Sequence, residues 1–391
     1  MRPACPAIAH RATADGRVPR REKGCSADRP PKGGTTNLIM KRHNHLFEPI
    51  CSFENLHAAA ISAMRGKKGK RPAATFFANL EEELIALREE LLGGSYQHGG
   101  YHYFQIHEPK QRTVAAAPFR DRVVHHAIVR VVEPLFERRF IEDSFACRKG
   151  KGTHAAMRRA AQFARKYPYA LKCDIRKYFS NIDHDILTRQ LERVIADRRL
   201  LDLMKGILES HSEGERTVWG DDLFSERRVV GRGLPIGNLT SQFWANVYLN
   251  ALDHFVKHTL RCKGYVRYMD DFLLFGHHKA ELKAQGRVLK RWVCHQLRLE
   301  VHPDKYQLLY SSAGVDFCGF VVFADGRVRV RSQTARRFQR RFRHQLRLAL
   351  QREIGFAKVR ASVAAWIGHV KHAQSIGLRR AVLSAASGKT G

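Results

Sequence analysis

The chain has 391 residues, of which 44% are hydrophobic and 27% charged, a composition typical of a soluble globular protein with a sizeable core. Its charge is unusual, because 69 Lys and Arg residues against 37 Asp and Glu residues give a net charge of +32. That excess indicates a polyanionic partner, with nucleic acid as the leading candidate. No apolar run reaches the roughly 18 residues that span a membrane. Eight cysteines without CxxC spacing predict neither a zinc site nor disulfides, and hence a cytoplasmic location.

The predicted elements begin after residues 1–39, which are rich in Pro and Arg and lack apolar periodicity. We expect this stretch to be disordered or to be a misassigned extension, with Met40 as the true start. Leucines at helical spacing predict a helix over 76–92. Alternating residues around Pro-Lys-Gln-Arg predict a β-hairpin over 101–117 with basic side chains at its tip. A further helix is predicted over 118–140.

The second half of the chain alternates between strands and helices. The predicted elements are, in chain order, a strand over 169–175, a helix over 184–198, a Gly-rich loop over 231–238, a helix over 240–259, an Asp-Asp hairpin over 264–276, a helix over 278–297, a strand pair near 307–323 and a very basic helical tail.

The segment GYVRYMDDFLLFG, residues 264–276, places Asp270 and Asp271 between two apolar runs. Strand interiors are poor in Asp, so the pattern predicts a hairpin with buried strands and carboxylates at its tip. A rigid tip of this kind suits Mg²⁺, which binds one or two carboxylates together with water and phosphates. The alternative is a solvated turn. The pair Asp221 and Asp222 is surrounded by charged residues and is interpreted as such a loop.

A further carboxylate for the same site is Asp174, at the end of the predicted strand over 169–175 and 96 residues before Asp270. The turn after the strand lets this carboxylate and the Ile175 carbonyl face one cation, and Phe179 follows five residues later. As a second carboxylate from elsewhere in the chain, Asp174 would complete a two-metal site for in-line phosphoryl transfer. The alternative is that Asp174 caps a turn and Phe179 belongs to the core.

The order of these features resembles that of a reverse transcriptase, over about residues 100–325. Three features carry the resemblance: the YMDD hairpin, the Asp followed by an aromatic residue five positions later, and the Gly-rich loop between them. It implies an α+β fold arranged as a right-hand polymerase, with fingers, a palm of antiparallel sheet and packed helices, and a small helical thumb. The implied regions are an N-terminal region with the fingers over 40–165, the palm over 166–325 and the thumb with the C-terminal tail over 326–391.

The resemblance also implies roles for individual residues. Asp174, Asp270 and the Ile175 carbonyl would bind two Mg²⁺ ions, replaceable by Mn²⁺, with Asp271 as an accessory ligand. Around the nucleotide, Lys110 and Arg112 would hold the triphosphate, Phe179 would reject a 2′-hydroxyl group, and Lys305 would act as general acid at the leaving pyrophosphate. Arg148 and Gly319 would contact the nucleic acid, Gly319 by letting the backbone approach the primer.

The Gly-rich loop bears on the subtype. It reads IGxxxSQ, from Ile236 and Gly237 to Gln242, where group II intron enzymes carry QGxxxSP. This form resembles the reverse transcriptases of diversity-generating retroelements, which implies cDNA synthesis that misincorporates at adenines. The implied partners are an RNA template, a DNA primer or cDNA, dNTPs and a small basic helical accessory protein. Ile236 would lie against the nascent base pair, although it is otherwise interpretable as a packing residue.

The C-terminal tail is strongly basic, with twelve Lys and Arg residues and one acid, Glu353, between positions 327 and 360. Arg336, Arg340 and Arg343 lie on one predicted helix, which suits a thumb that follows a duplex through its phosphates.

Three alternatives to a diversity-generating enzyme remain open. They are an antiphage or retron-type reverse transcriptase, a group II intron-type enzyme, and an inactive reverse-transcriptase fold that only binds RNA. The three aspartates argue against the last, because converging carboxylates repel a polyanion in the absence of a cation.

Overall fold

In a computed structural model of the chain, the described residues are 42–67, 69–107, 111–211, 217–219, 226–228 and 231–387. The predicted extension over 1–39, the hairpin tip with Lys110, and the loop with Asp221 and Asp222 lie outside the described residues. Within the described ranges, no helix is both long enough and apolar enough to cross a bilayer.

Four helices open the described chain: α1 (Phe47–Cys51), α2 (Phe53–Met64), α3 (Arg71–Ala78) and α4 (Leu80–Gly93). The single helix predicted over 76–92 is therefore wrong, because α3 and α4 are separated at Asn79, whose φ of −121° and ψ of 41° are not helical. Asn competes for backbone hydrogen bonds, and three glutamates in the first turn of α4 favour a new helix start there.

The predicted hairpin over 101–117 is confirmed as β1 (His102–Ile106) paired antiparallel with β2 (Arg112–Ala116). The predicted helix over 118–140 is confirmed as α5 (Phe119–Glu137), and α6 (Thr153–Lys166) follows it. Helix α2 packs along α5, so the N-terminal helices support the base of the hairpin.

The central part of the chain contains most of the remaining elements. They are β3 (Tyr169–Asp174), α7 (Tyr178–Asn181), α8 (His184–Glu192), α9 (Arg198–Glu209), β4 (Thr217–Trp219), β5 (Glu226–Arg228), α10 (Leu239–His254), β6 (Gly264–Tyr268), β7 (Asp271–Gly276), α11 (Lys279–Leu297) and β8 (Gln307–Tyr310). A π-helical turn, Phe255–Thr259, extends α10.

Helix α8 ends at Glu192, so the helix predicted over 184–198 is too long. A second helix, α9, starts after Asp197, whose carboxylate caps it by accepting from the Leu200 N–H at 3.2 Å and also accepts from the Phe47 N–H at 2.9 Å. A capping aspartate requires extended backbone, so a single helix cannot continue through residue 197.

A four-stranded antiparallel sheet forms the centre of the fold, in the order β6-β7-β3-β8. Successive side chains of a strand point to opposite faces, and both faces of this sheet are buried. On one face Leu171 and Phe272 join the large apolar core with α10 and α11. On the other, Ala170 and Leu273 join a second core with α6 and the C-terminal elements.

The C-terminal elements are β9 (Val315–Phe317), β10 (Phe320–Val322), β11 (Val328–Val330), α12 (Ser332–Leu350), α13 (Phe356–Val370) and α14 (Ile376–Ser387). The strand pair predicted near 307–323 is confirmed as β9 paired antiparallel with β10, beside β11, while β8 in the same stretch joins the central sheet. The rings of Phe338 and Trp366 stack 4.2 Å apart and join α12 to α13.

The predicted α+β class is confirmed, since antiparallel sheets are covered by separate groups of helices. The predicted boundaries stay predictions. The first falls within the last turn of α6, which ends at Lys166, and the second falls between β10 and β11.

Candidate active site

The structure brings the three predicted acidic residues together at one end of the central sheet. Asp174 and Asp271 are opposite partners across β3 and β7, which places their Cα atoms about 4.5–5.5 Å apart. The Ile175 N–H donates to the Asp270 carbonyl at 3.2 Å, so Asp270 lies directly beside the end of β3. Residues 96 positions apart in the chain therefore share one site.

A buried arginine supports the turn that carries Asp270. Arg267 is fully buried and donates to both carboxylate oxygens of Asp253, at 2.7 and 2.6 Å. The same guanidinium donates to the Met269 carbonyl at 3.0 Å, and Met269 has a positive φ of 56°. The ion pair thus fixes a strained backbone position immediately before the acidic residues. Sequence reasoning did not identify Arg267 or Asp253, although a charged residue inside an apolar strand is a detectable signal.

The protein only partly neutralises the negative charge of these carboxylates. Burial, followed by the charge of Asp174, raises the pKa of Asp270, and burial raises the pKa of Asp271 to about 7. The buried Oδ1 atom of Asp271 has no hydrogen-bond partner in the described part of the chain. Lys305 supplies one positive charge, because its Nζ atom donates to Asp174 Oδ1 at 2.7 Å.

This arrangement fits a divalent cation. A buried, unpartnered carboxylate oxygen beside two further carboxylates lacks the positive charge that a cation supplies. Over the described ranges, no three His, Cys, Asp or Glu side chains form a ready-made metal cage. Mg²⁺ does not require one, since it usually binds one or two carboxylates and completes its coordination with water and substrate phosphates.

Two of the predicted nucleotide-binding residues lie near these acids. Arg112 begins β2 with an exposed side chain, and its charge lowers the pKa of Asp270, so the two groups are within electrostatic reach. Phe179 is half-buried in α7, and its carbonyl accepts from the Leu234 N–H at 2.8 Å. This bond ties the segment after Asp174 to the Gly-rich loop.

The Gly-rich loop is bonded to the hairpin. The Ile236 carbonyl accepts from the Ala115 N–H at 3.0 Å, and the buried Asn238 side chain donates to the Ala115 carbonyl at 2.9 Å. Gln242 lies one helical turn into α10, where its Oε1 atom accepts from the Cys147 thiol at 3.5 Å. Asn238 is a positioning residue that sequence reasoning missed, because its partner lies 123 positions away.

Replacement of Gly237 by Ala is expected to destabilise the protein by about 1–3 kcal/mol. Gly237 has a φ of +115°, and an added Cβ would lie 2.7 Å from Val114 Cγ1. The Ala side chain must therefore strain the loop or push β2 away. Urea unfolding measures the loss.

Gly206→Ala is the matched control, because a Cβ there meets nothing within 4 Å and the residue lies inside α9. It is expected to gain about 0.5–1 kcal/mol. A loss for Gly206→Ala equal to that for Gly237→Ala would contradict the assignment of strain to the loop.

The predicted nucleic-acid contact of Arg148 is not supported. Its side chain is 4% exposed and pairs with Glu137, while Nη1 donates to the carbonyls of Ile141 and Ser144 at 2.6 Å each. All of these donors are directed inward, so Arg148 holds together the segment between α5 and α6. The prediction came from the resemblance to a family and did not take account of Glu137, eleven positions earlier.

The other predicted nucleic-acid contacts lie on the β9–β10 turn and on α12. Gly319 has a φ of +85°, and its carbonyl accepts from the Arg331 N–H at 3.0 Å, just before α12. Burial and then the charge of Asp271 raise the pKa of the neighbouring Cys318 thiol. The side chains of Arg336, Arg340 and Arg343 are exposed on α12.

Comparisons with known proteins agree with this arrangement. The family model described as reverse transcriptase (RNA-dependent DNA polymerase) matches residues 106–322. Protein YkfC of Escherichia coli K12 is 26% identical over 282 residues, which cover 62% of this chain and 71% of YkfC. Nuclear intron maturase 2 of Arabidopsis thaliana is 24% identical over 186 residues, covering 42% of this chain and 25% of the maturase.

The chain also spans 28% of the group II intron-encoded protein LtrA of Lactococcus lactis, with 25% identity over 45% of its own length. A solved telomerase from Candida albicans, in complex with a TWJ fragment of telomeric RNA, matches with a TM-score of 0.43 and 12% identity. The match covers 64% of this chain and 50% of the telomerase chain. A similarity this low supports no functional inference.

Proposed function

The chain belongs to the reverse transcriptase family, and on this premise we propose that it is an RNA-directed DNA polymerase that makes cDNA from an RNA template, a DNA primer and dNTPs. The observation that carries the proposal is the meeting of Asp174, Asp270 and Asp271 at the end of the central sheet. The buried and unpartnered Asp271 Oδ1 atom supports a cation-dependent reaction. A protein that only binds RNA gains nothing from such a cluster.

Asp174, Asp270 and the Ile175 carbonyl would hold two Mg²⁺ ions, with Asp271 as the accessory ligand. When bound, these ions would stabilise the negative charge that develops on the attacking and leaving oxygens in phosphoryl transfer.

The remaining predicted roles follow from placement around the acids. Arg112 would bind the triphosphate, since its exposed guanidinium lies within electrostatic reach of Asp270. Lys305 would donate a proton to the leaving pyrophosphate, from a position beside Asp174. The ring of Phe179 would exclude a 2′-hydroxyl group, because the hydrogen bond of the Phe179 carbonyl fixes this residue against the Gly-rich loop.

Primer extension tests the proposal. A DNA primer annealed to an RNA template should be extended when Mg²⁺ or Mn²⁺ is present and should not be extended in EDTA. Binding of the same primed template should persist in EDTA, since it depends on phosphate contacts by basic residues. No extension under any metal condition, with intact RNA binding, would favour an inactive RNA-binding protein.

For the subtype, we propose an error-prone enzyme of the diversity-generating kind, aided by a small basic helical accessory protein. The support is the IGxxxSQ loop, in which Ile236 is half-buried and its carbonyl is bonded to the hairpin. The second candidate is a group II intron-type enzyme, which is favoured by the similarity to a nuclear intron maturase and to a group II intron-encoded protein. Sequencing of the cDNA separates the two, because only the first predicts errors concentrated at template adenines.

Replacement of Ile236 by Gln is expected to lower misincorporation at adenines several-fold, up to about tenfold, if one added hydrogen bond restrains pairing geometry. The measurement is the cDNA error spectrum on one template. Ile236→Val is the control, since it keeps an apolar side chain and should leave the spectrum unchanged. Equal adenine error rates for the wild type and Ile236→Gln would remove Ile236 as a fidelity determinant.

A further inference from the structure

One lysine lies on the same face of the central sheet as the acids. Lys172 precedes Asp174 by two positions in β3, and alternate residues of a strand point to the same face. Its partner in β7 is Leu273, so Lys172 lies one step further from the end of the sheet than the pair of Asp174 and Asp271. Ala170, the next residue of this face, already belongs to the second apolar core. A cationic side chain at the border of a core requires a polar partner.

The partner of Lys172 is a backbone carbonyl of the C-terminal sheet. Its Nζ atom donates to the Asp316 carbonyl at 2.8 Å, across 144 positions of the chain. Asp316 lies in β9, the edge strand of the three-stranded sheet β11-β10-β9. Phe317 and Phe320 close the turn between β9 and β10 as a hydrogen-bonded pair, so the adjoining pair of Asp316 and Val321 exchanges no hydrogen bonds. The Asp316 carbonyl therefore points away from β10, where Lys172 supplies its donor.

The turn between β9 and β10 is tied to the same strand by an arginine. The turn has two residues, Cys318 and Gly319, whose φ values of 51° and 85° fit the tight type I′ turn. The Gly319 carbonyl accepts from the Arg331 N–H at 3.0 Å, and Arg331 Nε donates to Asp316 Oδ1 at 2.8 Å. Arg331 thus joins the turn to the residue that Lys172 contacts.

These contacts form a continuous link between the acids and the turn. Lys172 joins β3 to β9, and Arg331 joins β9 to the turn. Since β3 is also the strand that ends at Asp174, a shift of β9 relative to β3 changes the distance from the turn to the acids.

That distance matters for phosphoryl transfer. Reacting atoms must lie about 3–3.5 Å apart in the correct alignment, and a misplacement of about 1 Å costs on the order of 100-fold in rate. In the proposed reaction the attacking atom is the 3′ oxygen of the primer, and Gly319 is the residue that would let the backbone approach the primer. The position of the turn would therefore determine the position of the attacking atom.

We propose that Lys172 is a positioning residue, which acts through the Asp316 carbonyl to set the β9–β10 turn, and with it the 3′ end of the primer, against Asp174 and Asp270. The proposal rests on the proposed polymerase function, since it assigns the turn to the primer. A residue with this role affects the rate of the bound complex and leaves the affinity for the substrates unchanged.

The first measurement is hydrogen exchange of residues 315–322 in the protein without nucleic acid. Lys172→Met keeps most of the apolar side chain and removes the donor. Exchange in this segment should become several-fold faster, up to about tenfold, as expected for the loss of one hydrogen bond. Exchange in β6 should stay at the wild-type rate. Unchanged exchange at 315–322 would overturn the link, whether or not the protein extends primers.

The second measurement is single-turnover primer extension at saturating primed template. The rate for Lys172→Met is expected to fall by about 10- to 100-fold. The Kd for primed template and the apparent Kd for the dNTP should stay within about twofold of the wild-type values. A loss confined to either Kd, or no loss at all, would overturn the positioning role.

Arg331→Met tests whether Lys172 acts through the turn or only by its charge near the acids. Both substitutions loosen the same turn, so Lys172→Met/Arg331→Met should be slower than the slower single variant by no more than about twofold. If the charge of Lys172 acted directly on the acids, the two losses would multiply, and that result would overturn the positioning role.

Lys290→Met on α11 is the matched control. Lys290 is also half-buried, and its Nζ atom lies 3.5 Å from the centroid of the Tyr306 ring, which packs against the other apolar core. This variant should change neither exchange at 315–322 nor the extension rate by more than about twofold. Equal effects of Lys290→Met and Lys172→Met would indicate a general loss of packing and overturn the assignment.

The two measurements separate failure of this inference from failure of the polymerase proposal. Wild-type protein that extends primers, with Lys172→Met extending them equally fast, overturns the positioning role alone. Wild-type protein that extends no primer overturns the polymerase proposal and with it the alignment of a primer. Faster exchange at 315–322 in Lys172→Met would then still retain the link between β3 and the turn.

Discussion

Asp270→Asn is expected to reduce primer extension on RNA by at least ~100-fold, because it removes one of the carboxylates that we propose bind the cations, and such cations contribute several kcal/mol of transition-state stabilisation. The fold should survive, since Asn keeps the shape of the side chain. Burial raises the pKa of Asp270, so its ionised form is disfavoured in the folded protein relative to the unfolded chain. The neutral Asn should therefore leave the melting temperature unchanged or raise it.

The measurements are single-turnover primer extension and thermal unfolding of the same preparations. Asp304→Asn is the matched control, because Asp304 is exposed in the short 3-10 helix Pro303–Lys305 and adjoins Lys305. This surface change should alter extension by no more than about twofold. Extension by Asp270→Asn at the wild-type rate would refute the assignment of the acids as the catalytic site.

Arg267→Met is expected to destabilise the protein by about 3–5 kcal/mol, because it leaves the Asp253 carboxylate buried without its partner. Both side chains of this pair are 0% exposed. Burial by itself would lower the pKa of Arg267, but the charge of Asp253 outweighs it and raises the pKa. Urea unfolding measures the loss, and extension activity should fall with it because the Met269 carbonyl loses its donor.

Two further variants test the cause of that loss. Arg267→Met/Asp253→Leu should recover much of the stability, since replacing both members of a buried pair avoids an unpaired charge. Lys205→Met removes an exposed pair with Glu209, in which the side chains are 59% and 53% exposed, and should cost no more than about 0.5 kcal/mol. If Arg267→Met were as mild as Lys205→Met, the buried pair would not be holding the turn.

The elements that hold the acids were predictable from local pattern. The Asp-Asp hairpin over 264–276 and the strand ending at Asp174 each show apolar residues in short runs, and such runs form buried strands wherever they fold. That these two elements lie next to each other was predicted only from the resemblance to a family. Alternation alone contains no information about which strand of a sheet pairs with which.

The residues that sequence reasoning missed act over long distances in the chain. Asn238 bonds to a carbonyl 123 positions away, and Ser144 accepts from Arg267 across 123 positions. The role of Arg148 was predicted from the resemblance to a family, but its buried side chain pairs with Glu137. Two predicted helices ran through positions that are not helical, namely Asn79, whose backbone leaves the helical region, and Asp197, whose carboxylate caps the next helix.

Burial of both faces of the central sheet determines how a substrate reaches the acids. Since the apolar cores cover much of its two broad surfaces, the nucleotides of the proposed reaction would reach the acids from the edge of the sheet where Asp174 and Asp271 are partners. The segments bordering that edge, namely the hairpin, the Gly-rich loop and the β9–β10 turn, are then the places where a sequence change alters substrate choice. Changes in the covered surfaces alter the stability of the fold and leave the selectivity for substrates unchanged.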